Sequence, residues 1–479
     1  MNKKLFLSIF FFILLMVNQI GYAQDIELLR GNMTVFFDSE RPVIKEAIIK
    51  TEYTQDVVAK NLEFLILTSD KKDIREALEK GVYELSLNDQ ILKIKFNSDV
   101  LDLSGEMTFN EDNDFTYDMN FSSKEKVNLR DIQLVVKPGL THEKNGFIER
   151  AIYYLQEEKA EKFKFKSKPM SEDVSKAKWV AMTNKYYTFA LFNNDFSKVV
   201  VADTETIKTV IDDAGKEEEK KLYNQQITFN LEDRSINKDE DYQLTIKGYL
   251  GEKKLEKLER KGLGKVLDLG FFGAFARLLL LGLKKLNDFT RNWGLSIALL
   301  TVIIRLILYP LNFKQAKSMA EMQKIQPEME AIKKKYKDDS QKMNQEVMAL
   351  YKKHNINPMG GCFPILIQIP ILFSLFTMLR TSIEIKGASF LWLGDLSKPD
   401  SMYIMPVLIA VSMYFQQKAT ASNDPRQKQM MIMMPLIMLM ITTSLPSGVL
   451  IYWFVSNIAA FLQQVYVKKH LDKQEAVKK

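Results

Sequence analysis

Residues Trp293 to Leu311 read WGLSIALLTVIIRLILYPL, nineteen residues with a single charge, Arg305. As one helix rising ~1.5 Å per residue, the run is about 28 Å long and matches the hydrocarbon layer of a bilayer. Running from outside to inside, it would hold Arg305 roughly 9 Å short of its inner end. An arginine at mid-membrane costs ~2.5 to 3.5 kcal/mol even on lenient scales, and such residues usually mark a wet cavity or a pathway. The plainer reading is snorkelling, in which the long side chain reaches the near headgroups.

The averages of the whole chain conceal this run. The 479 residues are 46% hydrophobic and 27% charged, and the mean hydropathy is -0.15, values that suit a soluble protein. Residues 24 to about 260 hold no apolar run longer than a short strand, whereas five runs near spanning length fall between 293 and 467. The chain therefore reads as a soluble domain followed by a polytopic membrane domain. The expected spans are 293–311, 361–379, 402–417, 430–445 and 449–467, together a core at 292–467. The last two, joined at Pro446-Ser447-Gly448, are expected to form a tight antiparallel hairpin.

Before the core, the start of the chain fits a secretory signal peptide at 1–23 or an uncleaved first span. It has a basic MNKK opening, an apolar stretch from Leu5 to Val17, and Gly21-Tyr22-Ala23 at the cleavage position. Residues 24–260 are then exported. Alternation in Tyr83 to Leu87, Ile91 to Phe96 and Gln226 to Leu231 predicts half-buried antiparallel strands. Turn signals at Asn88-Asp89 and Lys144-Asn145-Gly146 separate candidate strands, so the domain is expected to be a large β-sandwich. The charged run Asp212 to Lys221 is expected to be a solvated loop. In the linker 261–291, Phe272, Phe275, Leu279, Leu283 and Leu286 recur at helical steps, while Arg277, Lys284, Lys285 and Asp288 rule out a span. This predicts an amphipathic helix in the outer interface, against the alternative of a soluble core helix.

Orientation follows from the basic residues. The loop Asn312 to Gly360 carries ten lysines, and the tail 468–479 is basic, whereas Ile383 to Ser401 holds only Lys386 and Lys398. The lysine-rich side, including the C-terminus, is expected in the cytoplasm. Within 313–356, Met319, Met322, Ile325, Met329, Ile332 and Tyr336, then Met343, Val347, Leu350 and Tyr351, keep helical spacing on either side of Asp338-Asp339-Ser340. Two helices should fold back as a pair. Their stripes either pack only on each other or, being rich in adaptable methionine, also hold varied apolar segments through Met319, Met322, Met329 and Met343.

Composition narrows the function classes. The net charge of +7 is spread over loops and the hairpin without interleaved aromatics, which argues against a nucleic-acid substrate. One cysteine, Cys362, and three histidines leave no internal disulfide and no zinc site. There is no phosphate-binding glycine loop, no His-Glu-x-x-His and no plausible Ser/His/Asp set, so no enzyme chemistry and no cofactor are expected. A carbohydrate-active sandwich and a transporter remain as rivals, although no repeat relates the spans as transporters commonly require.

The residues carrying the core resemble the YidC/Oxa/Alb membrane protein insertase family. The resemblance rests on Trp293-Gly-Leu-Ser-Ile297, Arg305 with Tyr309-Pro310-Leu311, Met319-Ala320, Gln326-Pro327, Met348-Ala-Leu-Tyr-Lys352, and Asn357-Pro-Met-Gly-Gly-Cys-Phe-Pro364. It continues through Leu366-Ile-Gln-Ile-Pro370, Pro446-Ser-Gly448, Tyr452 and Ser456-Asn457, in order from 290 to 467. The exported part matches more weakly, through Trp179-Val-Ala-Met182, the branch with a large periplasmic domain. The resemblance implies a five-helix α-helical membrane core with a cytoplasm-open, water-filled groove and a periplasmic all-β supersandwich. It implies Arg305 as the groove arginine, lined by Thr301 and Tyr309, with Tyr452 or Trp453 as client-contacting aromatics. Gln368 and Ser374 follow as polar groove positions by spacing. The implied partners are nascent membrane proteins, the Sec translocon, membrane lipids and, given the short tail, only weakly the ribosome. The implied location is the bacterial inner membrane. The cleavable-looking start and the short tail depart from that branch.

Overall fold

The computed structural model describes residues 26–38, 41–137, 139, 151–156, 159–163, 170–174, 177–192, 198–211, 217–337, 339–354, 363–420 and 425–478. The leader-like segment 1–23, the turn at Lys144-Asn145-Gly146 and Cys362 lie outside the described residues. The chain divides into two compact units, Met1–Leu267 and Asp268–Lys479.

Among the described residues, two large antiparallel sheets and a two-stranded ladder between Ser235–Ile236 and Val127–Asn128 build the first unit. The eight-stranded sheet runs, in spatial order, Ile26–Arg30, Met33–Phe37, Val43–Lys50, Gln55–Thr68, Gln133–Lys137, Glu217–Asn230, Lys198–Ile211 and Met170–Asp173. The nine-stranded sheet runs Lys159–Lys162, Ala151–Gln156, Trp179–Thr183, Tyr187–Phe192, Asp241–Glu252, Asp114–Ser123, Leu101–Phe109, Ile91–Asn97 and Val82–Asn88. Alternate residues face inward, as the period-2 pattern requires: Leu92, Ile94 and Phe96 on one strand, Tyr117, Met119 and Phe121 on another, and Met33, Val35 and Phe37 on the opposite sheet are all buried. Aromatic rings join the sheets across the core, Phe37 with Phe109 at 6.5 Å and Phe64 with Tyr117 at 6.4 Å between centroids. Asp89 and Gln90, at φ 48° and 66°, close the hairpin between Val82–Asn88 and Ile91–Asn97 with the left-handed backbone that suits strand twist. Two short helices complete the unit, α1 (Lys72–Glu79) and α2 (Leu255–Arg260).

The charged run Asp212 to Lys221 is not a loop throughout. Glu217 to Lys221 pairs in register with Ile211 back to Ile207. The opposite strand, rich in β-branched residues from Val199 to Ile211, extends the ladder and satisfies the backbone of the charged segment. Charge pattern alone gave no sign of that pairing.

The second unit is helical: α3 (Gly273–Thr290), α4 (Trp293–Ile307), α5 (Tyr309–Lys324), α6 (Gln326–Lys335), α7 (Ser340–Lys353), α8 (Phe363–Thr381), α9 (Ile404–Thr420), α10 (Pro425–Thr442) and α11 (Ser447–Lys478). Asn292 caps α4, its side-chain oxygen accepting from Leu295 N–H at 2.9 Å. The run Trp293–Leu311 is two helices rather than one. Pro310 has no N–H for the Leu306 carbonyl and its ring crowds that turn, so α4 ends at Ile307. Among the described residues, one helical segment, Ser447–Val467, is by itself long and apolar enough to cross a bilayer, with Trp293–Ile307 and Met431–Thr442 as shorter apolar helices.

Helix α3 buries Ala276, Leu279, Leu280 and Leu283 against α4 and α8, and leaves Leu278, Leu281 and Phe289 exposed. Helix α11 packs on α9, α4, α5 and α8, while α10 lies along α9. The segments 430–445 and 449–467, expected to pair directly as a hairpin, thus each pack chiefly on α9. The start of α11 explains this. Its Ser447 and Gly448 N–H groups are bound by the Lys398 and Leu396 carbonyls at 2.8 and 2.9 Å, which turns α11 toward the segment joining α8 to α9.

Candidate functional site

Helices α4, α8 and α11 bring a polar cluster together around Arg305. The side chain is half-buried. Its Nε donates to Ser456 Oγ on α11 at 3.0 Å, and a terminal guanidinium nitrogen donates to the same oxygen. One turn earlier on α11, the buried Tyr452 hydroxyl accepts from Gln368 Nε2 on α8. Asn457, next to Ser456, donates from Nδ2 to Ser412 Oγ on α9 at 3.1 Å. A guanidinium carries five donors, so the Ser456 oxygen leaves part of its fork open. Among the described residues no carboxylate pairs with Arg305, and none neutralises its positive charge.

The residues expected from the sequence separate into those inside and those beside this cluster. Arg305, Gln368 and Tyr452 share it. Thr301, one turn before Arg305, is buried and returns its hydroxyl to the Ile297 carbonyl at 2.7 Å. Tyr309, one turn after, is 38% exposed, and its ring stands 6.2 Å from Phe313. Its carbonyl accepts from Gln463 Nε2 on α11 at 3.3 Å. Trp453 is half-buried and, following Tyr452 in a helix, points about 100° away. Ser374 on α8 is buried with its hydroxyl unpartnered among the described residues. Ser456 was absent from the expected site, although its place one turn after Tyr452 on the same face was the available signal.

In the hairpin, Ile325 and Leu350 form a small core with Met322, Met329, Ile332 and Tyr351 packed on it. Tyr351 also donates its hydroxyl to Met329 Sδ at 3.5 Å. Met322 and Met329 therefore face the seam between α6 and α7, as mutual packing of the stripes requires. Met343 is half-buried and Met348 is exposed. The Met319 side chain lies outside the described residues.

A family model described as the 60Kd inner membrane protein matches residues 285–474, and one described as the YidC periplasmic domain matches 68–281. A protein of Geobacter sulfurreducens named membrane protein insertase YidC is 35% identical over 302 residues, covering 62% of this chain and 54% of that one. One of the same name from Citrifermentans bemidjiense is 44% identical over 225 residues, covering 46% of this chain and 42% of its own. The chain thus spans about half the length of the curated relatives it matches. A crystal structure described as an active YidC insertase with its first transmembrane domain resolved superposes with a TM-score of 0.43 at 19% identity, covering 92% of each chain.

Proposed function

Because this chain belongs to the YidC/Oxa/Alb membrane protein insertase family, in the bacterial branch with a periplasmic domain, we propose that it inserts and folds inner-membrane proteins through a hydrophilic groove open to the cytoplasm. The observation that carries the reading is the Arg305 cluster: a guanidinium held by the neutral Ser456 oxygen, beside the Gln368 to Tyr452 hydrogen bond, among helices rich in apolar residues.

A client's hydrophilic segment must cross a layer in which each unsatisfied polar group costs several kcal/mol. A hydrated groove reaching part-way across shortens that passage. Arg305 keeps it wet and draws in acidic client residues. The client's apolar helix then leaves sideways into lipid, and no covalent step is needed. In this reading α4, α8, α9, α10 and α11 supply the five spans, the β-sheet unit is periplasmic, and the hairpin and tail are cytoplasmic, in keeping with the lysine distribution. Thr301, Tyr309, Ser374 and Trp453 line the approach to the cluster, and the methionines of the hairpin, Met319 and Met343 among them, meet the client first. The protein works alone or beside the Sec translocon, with ribosome contact as the weaker association.

The test is insertion of a single-span client into liposomes containing only this purified protein, scored by protease protection of the translocated end. Protection above empty liposomes that falls in Arg305→Ala is the expected result. No protection from folded protein would reject autonomous insertion.

A further inference from the structure

The segment joining α8 to α9, Ser382 to Tyr403, is more tightly built than a connector needs to be. Phe390 and Leu393 exchange backbone hydrogen bonds at 2.8 and 2.9 Å, so Leu391 and Trp392 form the two-residue tip of a tight hairpin. Such tips are normally Asn, Asp or Gly, because the backbone must turn left-handed. Here Leu391 takes φ 53° and is 75% exposed. A second tip repeats the anomaly: Tyr403 takes φ 56° and is 56% exposed, next to Met402 at 61%. A bulky side chain in that region is strained, and such strain persists only where its surroundings enforce it.

Two carboxylates and one glycine do the enforcing. Asp400, 4% exposed, accepts from Met402 N–H at 3.0 Å, Met405 N–H at 2.7 Å and Trp392 Nε1 at 3.4 Å, so a single carboxylate joins both tips. Asp395 accepts from Gly387 N–H, Ser397 N–H and the Ser397 hydroxyl. Phe390 lies so close to Gly294 that a Cβ there would stand 2.2 Å from its ring, fixing the hairpin to the start of α4. With the Ser447 and Gly448 contacts described above, the segment is fastened to both helices that carry the Arg305 to Ser456 pair.

Exposing four large apolar side chains on strained backbone is unfavourable in water and favourable in an apolar surrounding. The surface below identifies that surrounding. From Tyr403 an exposed apolar stripe continues down α9 through Val407, Val411 and Phe415, without a charge before Lys418. Trp and Tyr are the side chains that favour the boundary between headgroups and acyl chains, and Lys398, paired with Asp395 at 3.3 Å but with its side chain 64% exposed, marks the more polar side of the segment. We propose that Leu391-Trp392 and Met402-Tyr403 are paired lipid anchors seated in the interfacial layer of the outer leaflet, setting the depth of α4 and α11, and so of Arg305, in the bilayer. The inference rests on the membrane topology of the preceding section.

The test places nitroxide labels at Leu391→Cys, Met402→Cys, Lys398→Cys and Val411→Cys in full-length protein lacking Cys362, reconstituted in phosphatidylethanolamine and phosphatidylglycerol vesicles. Relaxation by oxygen and by a water-soluble nickel chelate is compared. The expected result is an oxygen-to-chelate ratio at 391 and 402 several-fold above that at 398 and below that at 411. Ratios at 391 and 402 equal to that at 398 would overturn the anchor while a high ratio at 411 left the membrane core intact. A chelate-accessible 411 would overturn both. Protection of 391 and 402 from both reagents would mean a protein covers the tips, which also overturns the proposal.

Discussion

Replacing Arg305 with Ala should cost insertion of acidic segments far more than insertion of neutral ones. The magnitude follows from the charge left open at the cluster. Ser456 occupies one edge of the guanidinium, so a client carboxylate approaching the other edge through water sits roughly 6 Å from the charge. At an effective dielectric of about 20 to 40, Coulomb's law gives about 1.4 to 2.8 kcal/mol, or roughly 10- to 100-fold in rate or occupancy. The assay compares two clients that differ only in their translocated segment, Asp and Glu in one and Asn and Gln in the other, by protease protection in liposomes containing the protein alone. Arg305→Ala should lower the acidic client by that factor and the neutral client by only a few-fold. Arg305→Lys keeps the charge and loses the planar fork, so it should retain most of the preference. Equal loss for the two clients in Arg305→Ala would refute the electrostatic argument and leave Arg305 as a structural or purely hydrating residue.

Ser456→Ala removes the acceptor of two guanidinium donors; in a wet groove water replaces it, so thermal unfolding in detergent should report a loss of about 0.5 to 1.5 kcal/mol, whereas about 3 kcal/mol or more would mean a dry site. Leu350→Ala empties half of the small Ile325–Leu350 core and should cost the hairpin about 2 to 3 kcal/mol, seen as faster limited proteolysis within 325–353 while the remaining helices stay resistant; an unchanged cleavage rate would show that this seam does not hold the hairpin. Asp395 is pushed up by burial, but the Ser397 hydroxyl, the Gly387 and Ser397 N–H groups and Lys398 together hold its carboxyl below the ordinary value of 3.8. Its contribution to the loop is therefore complete above that pH and lost as the pH falls through the lowered value. A label at Leu391→Cys should gain mobility only at that acid limit in the wild-type background and already be mobile at neutral pH in Asp395→Asn; a wild-type label that loosens near neutrality would contradict this.

What the sequence revealed and what it hid divide along one line. Strands in the first unit were legible wherever one face meets the core and the other meets water, as in Ile91 to Phe96, because alternation records burial directly. Glu217 to Lys221 was misread because its order comes from a partner strand near 207–211, and pairing between distant segments leaves no local trace. The Trp293–Leu311 run was read correctly as apolar but not as two helices. Pro310 was visible, yet membrane helices tolerate proline often enough that only the fold decides. Arg305 stood out as the one charge in the run. Its partner did not, since Ser456, although part of the Ser456-Asn457 pair and one turn from Tyr452, shows no tie to Arg305 until α4 lies against α11. Ile383 to Ser401 reads from sequence only as a loop poor in lysine, and Met402 and Tyr403 as the start of a span, because strain at Leu391 and Tyr403 is a property of backbone angles that composition does not encode.

The choice of a hydroxyl rather than a carboxylate as the partner of Arg305 has a functional consequence. A buried ion pair would recover much of the desolvation cost of the guanidinium, but it would also cancel its field, leaving only a dipole that decays steeply with distance. Ser456 Oγ satisfies donors and fixes the direction of the side chain while leaving the net charge intact. Under the proposed function the remaining stabilisation has to come from water or from the client, which would link hydration of the proposed groove to recognition of acidic segments. Ser456→Asp makes this link measurable. It should raise thermal stability or leave it unchanged by supplying a bidentate partner, while reducing the preference for acidic clients toward that of Arg305→Ala. If Ser456→Asp instead kept the full preference, the uncompensated charge could not be its source.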